Sequence, residues 1–72
     1  MADPRFSSTQ EEIFNALRTG GPSTIQALTK ITGRNRQSVY KAIRSLSSFG
    51  YIRVAGVERH RTKDAIVWEV VQ

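Results

Sequence analysis

Gly50 divides this chain into two kinds of pattern. Before it, apolar residues recur at helical spacing: Ile13, Phe14 and Leu17; then Ile25, Leu28 and Ile31; then Val39, Ala42, Ile43 and Leu46 at i, i+3, i+4 and i+7. Such stripes belong to helices with one buried face. After Gly50 the period drops to two. Ile52 and Val54 share one face of the segment 51–55, and Ile66, Trp68 and Val70 share one face of the segment 65–71. β-Branched and aromatic residues favour strand in both. The order is therefore helix, helix, helix, strand, strand, an α+β chain. A lone two-stranded hairpin is marginal in water, so its apolar face must rest on the helices.

Caps and breaks set the boundaries. Ser8-Thr9-Gln10-Glu11 reads as a Ser-x-x-Glu capping box, opening a helix over residues 9–18 that stops at Thr19-Gly20-Gly21-Pro22. Ser23-Thr24-Ile25-Gln26 reads as a second box, and its helix ends near Thr32-Gly33, where Gly33 can turn the chain left-handed at little cost. Asn35 caps the third helix, which runs to about Ser48. Residues 56–64 are polar and basic and read as a long hairpin tip. Residues 1–7 form a loose N-terminal arm, and residues 8–72 the single domain.

Composition excludes most chemistry. With 72 residues the domain buries roughly 60% of its unfolded surface, so the core is thin. There is no Cys and one His, His60. Disulfide scaffolds and thiolate zinc sites are excluded, and with a single His neither a histidine metal cluster nor a Ser-His-Asp triad is expected, nor any enzyme, cofactor or metal. No apolar run approaches the roughly 20 residues of a membrane span, and the N-terminus carries no secretory pattern, so a cytoplasmic protein is expected. The net charge of +5 is unevenly spread: −1 over residues 1–23, +8 over residues 24–63 and −2 over residues 64–72. A basic stretch of this density points to a polyanionic partner.

The segment from Thr24 to Gly33, joined directly to Arg34-Asn35-Arg36-Gln37-Ser38-Val39 and on to Leu46, resembles a winged helix-turn-helix domain. The passage from Ala42 to Ile52, with its Leu46, Gly50 and apolar Tyr51-Ile52 pair, is similar to the lead into the wing in bacterial, phage and archaeal regulators of this kind. Two positions differ from the usual motif: Arg34 stands where an apolar residue is common, and Thr29 where a small residue is common. The resemblance implies three helices followed by a two-stranded β-hairpin wing. It also implies sequence-specific binding of double-stranded DNA by a small transcriptional regulator, nucleoid-associated when bound, working as a homodimer or with an additional domain or partner protein.

Its site residues follow from the third helix. With positions 39, 42, 43 and 46 facing the core, the outer face carries Arg36, Gln37, Tyr40 and Lys41 as the base-proximal set. Arg44, further along, is expected on a phosphate. Asn35, Ser23 and Thr24, at helix N-termini, are expected on the DNA backbone. Arg59, His60, Arg61 and Lys63 at the wing tip are expected on the backbone or in a narrow minor groove. Trp68 reads as a core residue, and Lys30 and Arg53 as plain surface charges. Two other functions fit a winged domain. One is a protein–protein module, which has no need of the basic middle segment. The other is a shape reader of Z-DNA or double-stranded RNA. Trp68 loosely resembles the Z-DNA-binding type, but Tyr40 and Arg44 stand where that type has Asn and Tyr, and its proline-containing wing is missing.

Overall fold

A computed structural model of the chain describes residues 6–71, the side chain of His60 excepted. Helix α1 spans Ser8–Gly20, α2 Ile25–Thr32 and α3 Arg36–Ser48. A two-residue strand β1, Ser23–Thr24, precedes α2, and the strands β2, Ile52–His60, and β3, Lys63–Val70, follow α3. The three antiparallel strands form one sheet in the order β1-β3-β2. The sequence offered only the hairpin. The third strand comes from long-range pairing of Ser23 with Trp68 and Thr24 with Val67, which two residues after a proline cannot announce by alternation.

The first two caps sit one residue from where the sequence put them. In α1 the cap is Ser7: its Oγ accepts the Gln10 N–H at 3.2 Å, and its own N–H donates to Gln10 Oε1 at 3.0 Å. Both registers satisfy the capping pattern. Phe6 decides between them, because it packs on the rings of Phe14 and Tyr51 and fixes where the chain enters the helix. Of the arm expected over 1–7, residues 1–5 lie outside the described residues, while Phe6 and Ser7 are folded onto the domain. In α2 the cap is Thr24, whose Oγ1 accepts the Ala27 N–H at 3.1 Å, while the Ser23 hydroxyl donates to the Gly21 carbonyl. In α3 it is Asn35, as the sequence indicates, with Oδ1 accepting the Ser38 N–H at 2.8 Å.

The core is formed by Ile13, Leu17, Leu28, Val39, Ala42, Ile43, Leu46 and Ile52, with Trp68 and Val70 packed partly buried against it. Ile31 is the exception to the α2 stripe. It lies in the last turn, where nothing covers it, and stays 59% exposed while Leu28 is fully buried. Gly33 ends α2 in the left-handed conformation with φ 71°, its N–H donating to the Thr29 carbonyl. The unusual Arg34 is explained by α1: its Nε and Nη2 both reach Glu12 Oε2, at 2.9 and 2.8 Å, and tie the turn between α2 and α3 to the first helix.

The hairpin also differs from expectation. The long polar tip read over 56–64 is mostly paired strand, closed by a turn at Arg61 and Thr62. Polar side chains do not prevent a ladder when both faces are wet, and Glu58↔Ala65, Arg59↔Asp64 and His60↔Lys63 continue the register. Arg61 adopts φ 35°, a positive value at a non-glycine residue. One extra residue, Ala55, shifts the register between Val54 and Gly56, a β-bulge. A nine-residue strand is roughly 30 Å long, so the wing extends the molecule to 40 × 25 × 20 Å.

Candidate nucleic-acid interface

Helix α3 is amphipathic in the way a groove-binding helix requires. Val39, Ala42, Ile43 and Leu46 are buried, and the other side presents Arg36, Gln37, Tyr40, Lys41 and Arg44 to solvent. The Arg44 guanidinium lies 6.0 Å from the Tyr40 ring centroid, a cation–π contact on the outer face. Among the described residues, no carboxylate pairs with Arg36, Lys41 or Arg44. The contrast is with Arg34, held by Glu12; Arg53, held by Glu69 at 2.8 Å; and Arg59, 3.4 Å from Asp64. Among the described residues the cations on α3 therefore stay uncompensated by carboxylates, while part of the remaining basic charge is spent within the fold.

The backbone-contact candidates separate. Asn35 is exposed, and its cap uses only Oδ1, leaving the Nδ2 donor uncommitted among the described residues. Ser23 is half-buried and donates its hydroxyl to the Gly21 carbonyl at 3.1 Å. Thr24 is 8% exposed and its Oγ1 caps α2, so its side chain is withdrawn from any external phosphate, contrary to the expectation. Its hydroxyl is needed inside because burying the α2 N-terminus would otherwise leave a backbone donor unpaired. On the wing, Arg59, Arg61 and Lys63 are all exposed; the expectation for His60 falls on a side chain outside the described residues.

Other surface features were not legible. Lys41 also borders a shallow cleft between α3 and the start of α1, lined by Thr9, Gln10, Ser38 and Ser45. Reaching it from sequence needs the packing of α1 on α3, which no local pattern carries. Trp68 packs against the core as expected, but its buried Nε1–H has no partner among the described residues. Among the described residues no helix is long and apolar enough to cross a membrane, and no group of His, Asp and Glu is arranged to hold a metal.

Three helices, a three-stranded sheet and a projecting hairpin beside an outward, basic third helix define the winged helix-turn-helix class of transcriptional regulators, as the sequence resemblance indicated. The family follows from the sequence comparison: residues 5–66 match the model of the sugar-specific transcriptional regulator TrmB family, and the chain belongs to that family. Solved structures share the fold. NMB1585, a MarR family regulator from Neisseria meningitidis, superposes with a TM-score of 0.76 at 18% identity over 93% of this chain and 46% of its own. A cysteine-to-serine mutant of Lactococcus lactis ZitR gives 0.78 at 22% over 100% of this chain and 47% of its own. The apo-Zalpha of zebrafish PKZ gives 0.71 at 23% over 92% of this chain and all of its own. The chain thus spans about half the length of the two bacterial proteins. Comparison with curated proteins yields no match.

Proposed function

We propose that this domain is the DNA-reading unit of a transcriptional regulator, binding double-stranded DNA sequence-specifically with α3 in the major groove and the wing on the same duplex. The observation that carries the reading is the outer face of α3: exposed Arg36, Gln37, Tyr40, Lys41 and Arg44, with its cations unpaired by any described carboxylate. In a helix-turn-helix the first turns of this helix meet base edges. Arg36 can form a bidentate pair with guanine and Gln37 with adenine, each worth about 1–3 kcal/mol of discrimination. Lys41 and Tyr40 flank them. Arg44, beside the Tyr40 ring, and the Nδ2 of Asn35 suit phosphates. Arg61 and Lys63 on the wing, with Arg59 partly held by Asp64, suit the backbone or a narrow minor groove.

One such domain reads a short site, so a second copy, or a further domain or partner protein, completes the operator. It acts in the cytoplasm, on the nucleoid when bound. A shape reader of Z-DNA is not favoured, because Tyr40 and Arg44 occupy the positions where that type has Asn and Tyr. The test is selection from random duplexes followed by binding of the Arg36→Ala, Lys41→Ala double variant. A site should be enriched, and the variant should lose preference for it while melting like the parent. Failure to enrich any sequence would refute base reading.

A further inference from the structure

The Ala55 bulge has a consequence for the faces of the wing. Without it, strand alternation would put Val57 on the face opposite Val54. The extra residue restores the phase, so the pairs Ile52–Val70, Val54–Trp68 and Val57–Ile66 all stand on the helix side of the sheet. The first pair is at the core. Further out, the helices no longer cover the sheet, and Val54 is 52%, Val57 61% and Ile66 47% exposed. The bulge therefore extends an apolar stripe past the end of the core into solvent. Arg59 and Asp64, 3.4 Å apart, follow directly on the same face, and the exposed Arg61 and Lys63 close the tip. The other face of the hairpin carries the internally paired Arg53–Glu69.

An exposed apolar stripe that ends at a net positive tip, with Arg59, Arg61 and Lys63 against Asp64, suits an occupant that is anionic at its edges and apolar between them. A second copy of this chain would bring one basic wing against another. The grooves of a DNA duplex offer the required alternation, since the C–H faces of deoxyribose line the walls between phosphates and accept apolar side chains. The stripe also faces the side of the sheet that carries the helical layer, to which α3 belongs. We propose that the wing holds DNA by this apolar face, with Val57 and Ile66 against deoxyribose and Arg61 and Lys63 on the adjoining phosphates. The inference rests on the DNA-binding reading above and adds a salt-independent contact to it.

The two kinds of contact separate by salt dependence. Affinity for labelled duplexes, one with a selected site and one of unrelated sequence, is measured by anisotropy from about 50 to 200 mM salt. The Val57→Thr, Ile66→Thr double variant keeps the β-branch and so the strand. It should bind both duplexes up to about fiftyfold more weakly, the equivalent of one methyl and one ethyl group withdrawn from water, with the salt slope unchanged. On the same basis Val57→Thr alone should give up to about fourfold and Ile66→Thr up to about fifteenfold. Arg61→Ala with Lys63→Ala should instead lower the slope by about 2, one counterion release per phosphate. Unchanged affinity in the threonine variants, with the parent binding normally, overturns this inference alone. A parent that binds no duplex overturns the function proposed above as well. Two further results would assign the stripe elsewhere and overturn it: a parent dimer that becomes monomeric in the threonine variant by sedimentation, or parent binding to phosphatidylserine vesicles that the variant loses.

Discussion

Leu28 and Ile31 lie three residues apart on α2, and the apolar pattern assigns both to one stripe. The structure separates them completely. Leu28 has no exposed surface, wedged where α2 meets the rest of the core, whereas Ile31 is 59% exposed. Replacing Leu28 by Ala removes a fully buried side chain and leaves a cavity, at a cost of about 2–5 kcal/mol. Replacing Ile31 by Ala gives up less than half of the roughly 1.5–3 kcal/mol of a fully buried side chain. It also recovers about 0.4 kcal/mol of helix propensity, for a net loss of about 0.5 kcal/mol. A domain of 72 residues has roughly 4–11 kcal/mol in all. Leu28→Ala therefore removes a large fraction of the stability, and Ile31→Ala very little. Each kcal/mol moves the melting temperature of so small a domain by about 4–8 °C. The first variant should melt more than about 10 °C below the parent, and the second within a few degrees. Trp68, the single tryptophan and half-buried beside the core, reports urea unfolding by its fluorescence. Equal losses in the two variants would mean that α2 packs along its sequence stripe, and the burial argued above would be wrong.

Other predictions follow from single contacts. Gly33→Ala puts a methyl group on a residue at φ 71°, with nothing within 4 Å to clash. The cost is then conformational alone, about 1 kcal/mol by thermal melting, and Gly33→Asn should cost less. Asn35→Ala should remove about 1 kcal/mol through the lost α3 cap and weaken duplex binding as well, measured by melting and anisotropy on the same sample. Glu12→Ala should cost at most about 1 kcal/mol, because the pair with Arg34 is only half-buried. The freed Arg34 should also raise non-specific DNA affinity at low salt. The Arg36→Ala, Lys41→Ala variant should show a smaller dependence of affinity on salt than the parent wherever either side chain lies on a phosphate.

Much of the architecture is legible because it is written in local periodicity. The stripe at Val39, Ala42, Ile43 and Leu46 fixes the inner face of α3 and, by subtraction, the outer face with Arg36, Gln37, Tyr40, Lys41 and Arg44. Asn35 and Gly33 mark their ends through chemistry that needs no distant partner. The same locality explains the misses. Ser7 and Ser8 both fit a capping box, and only Phe6 packing on Phe14 and Tyr51 chooses between them. Thr24 has the composition of a phosphate donor, yet its place in β1 and at the α2 cap buries it.

By itself, then, the sequence determines the order of elements, the inward face of α3 and the concentration of positive charge between residues 24 and 63, because each depends on neighbours a few residues away. The tertiary structure decides which charges remain free. Glu12 and Glu69 capture Arg34 and Arg53 across 22 and 16 residues of chain, while among the described residues no carboxylate pairs with Arg36, Lys41 or Arg44. It also decides that the bulge at Ala55 carries an apolar stripe beyond the core. Both outcomes depend on residues far apart in sequence meeting in space, and no reading of spacing along the chain contains that information.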